Sequence, residues 1–182
     1  ANINSGANFH RFWYASDNPY KFTDPDGRSV TWAHSKGVSE DQMRDIMAGI
    51  AWSSTARDEI RQLERSDENY IIQFVNGNAG NGYESLSRTV QINVDTNDWI
   101  PSSNEKQDIK NVTVHEISHA AEHDRIGTEA FAQQMQPSIN PDGTEGVKPE
   151  EARATEVERK AGQEMFLPVR NDYRDIEPAN GR

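Results

Sequence analysis

His115-Glu116-Ile117-Ser118-His119 constrains this chain more than any other stretch of it. Two histidines four residues apart share a face only in an α-helix, where one turn takes 3.6 residues. The two imidazoles then stand one above the other, near enough to hold one tetrahedral ion. Glu116 sits one step round the same helix, beside the position such an ion leaves open. A carboxylate there can take a proton from a bound water. The neighbouring residues agree with a helix. Ile109, Val112, Val114, Ile117 and Ala120 recur at helical spacing over about residues 105–124, and Gly127 allows a stop.

The chain contains no cysteine. Disulfides and thiolate metal sites are therefore excluded, and any metal must be held by nitrogen and oxygen. A catalytic zinc takes three protein ligands and keeps a fourth position open. His123 continues the four-residue step, but a straight helix puts it about 12 Å along the axis from His115, too far to share one ion. It reads as a surface histidine near the helix C-terminus, where its charged form is favoured. The third ligand is then expected to be a carboxylate from another element. Pro149 is a favoured first helical residue, and a helix is expected from there to about Met165. Its acids Glu150, Glu151, Glu156 and Glu158 are the candidates. A preference for acids at helix starts would by itself account for Glu150 and Glu151, and it is compatible with metal ligation.

Ser39 and Gln42 form a capping-box pattern. Met43, Ile46, Met47, Ile50, Ile60 and Leu63 continue at helical spacing, which predicts one long helix to about residue 66. An apolar run over residues 70–75 and the alternation of Val90, Ile92 and Val94 predict two strands. The Gly- and Asn-rich residues 76–85 between them read as a hairpin loop, so a small antiparallel sheet is expected. Pro137, Pro141, Asp142-Gly143 and Gly146 mark residues 136–148 as loop, and the polar tail from Asp175 is expected to be loose.

A chain of 182 residues suffices for one packed domain. Its net charge of −11 weighs against nucleic acid and anionic membranes as partners and suits a basic one. No apolar run reaches the roughly 18 residues of a membrane span. Residues 1–10 lack the basic start and apolar stretch of a signal peptide. The expected fold is α+β: a small antiparallel sheet, a helix bearing the histidine pair, and a downstream helix returning an acid.

His115-Glu116-x-x-His119, then Glu150-Glu151-x-Arg153, then Arg170-x-x-Tyr173 resembles the zinc endopeptidases of the clostridial neurotoxin light-chain type. It resembles still more the related short bacterial effector metallopeptidases. The likeness covers about residues 105–174 and implies a zincin-like fold with one Zn2+ per chain. It implies Glu151 as the third ligand, with Glu150 just behind the ligands, as an alternative. Arg170 and Tyr173 would face the scissile carbonyl and, with the zinc, stabilise its oxyanion. Glu116 would act as base and then return the proton to the leaving amine.

Tyr14, Asn18-Pro19 and Asp24-Pro25-x-Gly27 resemble the end of the Rhs or YD-repeat core, just before its variable C-terminal toxin. Arg28 stands where that pattern commonly has Leu. Two parts follow from this likeness: residues 1–28 as the end of an Rhs shell, and residues 29–182 as a metallopeptidase toxin domain. The domain would be secreted or delivered into a target cell, cleave a protein in its cytosol, and be matched by a cognate immunity protein in the producer. Two other activities fit the same residues. One is a zinc hydrolase acting on a non-peptide amide such as a cell-wall bond. The other is a binding toxin whose zinc is structural.

Overall fold

The computed structural model describes residues 30–178. The Rhs-like segment, residues 1–28, lies outside the described residues. The order along the chain is β1 (Val30–His34), α1 (Glu40–Ile50), α2 (Ser54–Glu64), β2 (Tyr70–Val75), β3 (Gly82–Glu84), β4 (Thr89–Asn93), β5 (Asp98–Ile100), β6 (Glu105–Lys106), α3 (Ile109–Ile126), α4 (Thr128–Gln134), α5 (Pro149–Glu164) and β7 (Glu177–Pro178). The fold is α+β.

The expected single long helix is two helices. Ser39 caps α1, its side chain accepting from the Gln42 N–H. The chain then turns at Ala51-Trp52, and Ser53 caps α2 by accepting from the Ala56 N–H at 2.9 Å. Met43, Ile46, Met47 and Ile50 bury the inner face of α1, and Ala56 and Leu63 that of α2. A continuous apolar rhythm thus conceals a corner that the Ser-Ser-Thr run at 53–55 produces.

The first sheet has the order β1-β2-β4-β3. β1 and β4 both run parallel to β2, and only β3 is antiparallel, paired to β4. The expected antiparallel pairing of β2 with β4 is therefore corrected. Residues 76–85 do not form a simple hairpin loop between them; they contain β3, which lies on the outer edge. Apolar alternation reports burial and says nothing of strand direction. Tyr70, Ile72 and Phe74 from β2 and Val90 and Ile92 from β4 form the sheet's contribution to the core.

α3 begins later than expected. Glu105–Lys106 is a strand, and Asp108 is the N-cap, accepting from the Lys110 N–H at 2.8 Å. This helix is enclosed on almost every side, packing on α2, α5, α1 and the sheet. Several of its buried polar groups bond locally or to the chain passing over it, while Asn111 Oδ1 finds no partner among the described residues. Thr113 and Ser118 donate to the carbonyls of Ile109 and His115, and Asn111 donates to that of Pro168.

A second sheet, β6-β5-β7, lies further along. It pins the tail expected to be loose: β7 pairs with β5, and Asp175 accepts hydrogen bonds from Ser102 and from the Asn171 N–H. No helix among the described residues is long and apolar enough to cross a membrane.

Candidate metal centre

α3 presents His115 and His119, both buried, on one face one turn apart. α5 starts opposite them. Pro149 opens it without a side-chain cap, so Glu150 and Glu151 fall in the first turn, where the helix dipole favours acids. That turn packs on α3. The two helix stretches with metal-type residues therefore meet.

Three donor atoms converge there. His115 Nε2 and His119 Nε2 are 3.2 Å apart. Glu151 Oε2 lies 3.2 Å from the first and 3.4 Å from the second. Zinc bond lengths of about 2.0–2.1 Å at tetrahedral angles require ligand–ligand edges of about 3.3–3.4 Å. The triangle matches that size. Among the described residues this is the His/Asp/Glu group able to hold a metal ion.

Buried acids stand behind both imidazoles. The Nδ1 of His119 lies 2.9 Å from Glu150 and that of His115 lies 3.0 Å from Glu158, both glutamates being fully buried. Glu150 fixes the His119 ring with Nδ1–H as donor, which leaves that Nε2 as a lone pair aimed at the centre, whereas the His115 Nδ1 is shared between Glu158 and the Arg170 Nη2, 2.9 Å away. Arg153 grips Glu150 through Nε and Nη2, both at 2.7 Å, and also donates to the Ser118 carbonyl. Glu158 is held by Gln107 at 2.8 Å and by Arg170 at 2.5 and 3.0 Å.

These groups shift one another's proton affinities. Burial alone would lower the pKa of His119, but its contacts with Glu150 and Glu151 outweigh that and push it up to about 9. His115 moves the same way: burial opposes and Glu151 and Glu158 prevail. Burial would raise Glu151, yet the two imidazoles hold it well below the usual carboxylate range. Glu116 is different. Burial pushes its pKa up, only partly offset by the two histidines.

The donor triangle opens onto a cleft of ≈ 620 Å³ whose walls include Tyr83, Asp98, Glu116, Phe131 and Tyr173. Each residue named from the sequence can now be placed. His115, His119 and Glu151 form the triangle, Glu150 lies behind it, and Glu116 and Tyr173 face the cleft. Arg170 also reaches the cleft, but it is buried at 5 % exposure and its guanidinium is engaged by Glu158 and lies 2.9 Å from the His115 Nδ1. Of the other acids of α5, Glu158 supports His115, and Glu156 is exposed and paired with Arg159.

The expectation for His123 is overturned. It is 4 % exposed, with Nδ1 2.6 Å from the Tyr83 hydroxyl and Nε2 2.9 Å from that of Thr128. Burial and nearby Arg88 lower its pKa, so the neutral form is favoured. Sequence reasoning passed over Gln107 and the supporting role of Glu158. Only Glu158 had a signal: it is seven residues from Glu151, on the same helix face.

Comparison with protein-family models, with curated proteins and with solved structures gave no significant match.

Proposed function

We propose that this chain is a zinc-dependent endopeptidase with a zincin-like arrangement. The observation that carries the reading is the triangle of His115 Nε2, His119 Nε2 and Glu151 Oε2, sized for a tetrahedral ion. Two imidazoles and one carboxylate are a catalytic zinc set, and the open side of the triangle faces the cleft rather than more protein. A purely structural site has no use for that opening. A bound zinc supplies Lewis acidity: it polarises a carbonyl oxygen and acidifies water.

The chain's own groups supply the rest. Glu116, with its pKa raised by burial, is suited to accept a proton from water and return it to a leaving amine. Tyr173 offers its phenol from the cleft wall as a donor to a developing oxyanion. Arg170 contributes by keeping Glu158, and through it His115, in place. A peptide is favoured over other amides by β3. This strand pairs only with β4 among the described strands, so its other edge is unpaired, and Gly82 and Tyr83 line the cleft. An extended polypeptide can add to such an edge.

Delivery as a toxin, with an Rhs shell and an immunity protein as partners, is supported by the resemblance of residues 1–28 alone. The enzymatic reading is tested by metal analysis and by cleavage of a mixed peptide pool. Wild type is expected to carry one zinc and cleave, whereas His119→Ala and Glu151→Ala lose metal. Glu116→Gln keeps its zinc and loses at least about a hundredfold in rate. Full activity in Glu116→Gln, or no zinc in wild type after reconstitution, sinks the proposal.

A further inference from the structure

Asp98 begins β5 and lines the same cleft as Glu116 and Glu151. Its backbone is tied into the sheet: the carbonyl accepts from the Gln107 N–H at 2.9 Å, and the residue pairs with Pro178 of β7. Its carboxylate is not. Among the described residues no hydrogen bond or ion pair holds it, although the side chain is half-buried. Burial pushes its pKa up, and Arg170 and Lys106 offset this only in part. Neither cation is an ion-pair partner: Arg170 is bound to Glu158, and Lys106 is exposed. A half-buried carboxylate that has no partner among the described residues is costly, so its natural complement is a cation that arrives with a ligand.

The cleft wall also carries Arg174, which could argue for acidic ligands. Arg174 is exposed, and an exposed charge is solvated and screened at little cost. The half-buried group decides the preference. The net charge of −11 biases encounter in the same direction.

We infer that Asp98 is a specificity-determining residue that selects substrates carrying a lysine or arginine close to the scissile bond. The inference rests on the endopeptidase reading and deepens it: the substrate class is a polypeptide segment with a basic side chain, seated against β5 while its backbone lies along the cleft. Because the Asp98 side chain makes no hydrogen bond or ion pair among the described residues, Asp98→Asn is expected to melt as wild type does.

The experiment has two arms. In the first, zinc-loaded protein digests a proteome-derived peptide library and the cut sites are read by mass spectrometry. Wild type is expected to enrich Lys and Arg roughly tenfold at one fixed position, and Asp98→Asn to lose that enrichment. Asp98→Ser serves as a second variant if the amide alters the loop. In the second arm, a lysine-containing peptide and its glutamine counterpart are titrated against Glu116→Gln, with and without Asp98→Asn. The lysine peptide is expected to bind Glu116→Gln roughly tenfold more tightly, and the double variant to show no preference. Cleavage without basic enrichment, or enrichment that survives in both Asp98 variants, overturns this inference and leaves the peptidase reading standing. Absence of cleavage together with an intact, Asp98-dependent lysine preference overturns the peptidase reading and upholds Asp98 as the cation-selecting group. Equal binding of both peptides to Glu116→Gln overturns the inference.

Discussion

Phe166 holds a backbone conformation that few side chains adopt. It follows the last turn of α5 with φ +58°, at the position where helices end most easily on glycine. Its N–H bonds the Gln163 carbonyl at 3.2 Å, and the next N–H, from Leu167, reaches back to Gly162 at 2.9 Å. Both bonds of a Schellman ending are thus made around a residue that strains it. The ring gains nothing in return, being 95 % exposed. Phe166→Gly should therefore stabilise the chain by about 1 kcal/mol, the left-handed cost removed minus glycine's extra unfolded-state freedom. Thermal unfolding measures it, and a lower midpoint would show that the ring packs after all. At this scale the pairing of the two histidines was far more legible than the strain. His115, Glu116 and His119 announce themselves because helical spacing alone brings them together. Phe166 gives no such signal, since nothing in its type marks a left-handed turn. His123 misleads because its burial comes from Tyr83 on a strand forty residues earlier.

At the scale of elements, α5 does more than bring Glu151 to the two histidines. Its first turn carries Glu150 and Glu151, its middle Glu158, and its last residue, Glu164, docks on the start of α2. Glu164 accepts from the Ser53, Ser54 and Thr55 hydroxyls and from the Thr55 N–H, at 2.6 to 3.0 Å. An acid at a helix N-terminus meets both unsatisfied N–H groups and the positive end of the dipole. Burial would raise its pKa, but these bonds, led by Ser53 and the Thr55 N–H, hold it down to about 2. The sign follows from the depressed folded value. The stabilisation is fully present above the ordinary value of 4.5 and is lost as pH falls through about 2. Glu164→Gln should lower stability near neutrality and flatten the acid limb of a pH–stability curve between pH 4.5 and 2. Parallel curves for the two proteins would remove Glu164 from the account. The same clamp explains why the chain turns at Ala51-Trp52 instead of continuing as one helix. Periodicity over residues 43–63 carries no trace of it, because the partner lies more than a hundred residues away. The parallel pairing of β2 with β4 was equally hidden, since alternation is blind to direction and the chain between them detours through the edge strand β3.

Over the whole molecule, α3 is the hub on which the sheet, α2 and α5 meet, and the donor triangle is part of how α3 and α5 join. Three lone-pair donors within 3.4 Å of one another repel unless a positive charge sits among them. A proton can supply that charge: against the opposing effect of burial, the contacts with Glu150 and Glu151 push the pKa of His119 up to about 9. A metal ion requires the neutral rings, so protons and metal compete. The pH dependence then has a definite sign. A raised folded pKa stabilises the metal-free chain fully below the unfolded value of 6.5, and that stabilisation is lost as pH rises through about 9. Metal affinity changes oppositely, growing as the competing proton leaves. Saturation at a hundred times the dissociation constant adds about 2.7 kcal/mol, and more as affinity rises. The difference in melting temperature between zinc-loaded and metal-free protein should thus widen steadily from pH 6.5 to 9. His115→Ala should abolish the difference at every pH. A gap that stayed constant over this range in wild type would mean that zinc binds away from these histidines. In that case the convergence of α3 and α5 would need some other ion to explain it.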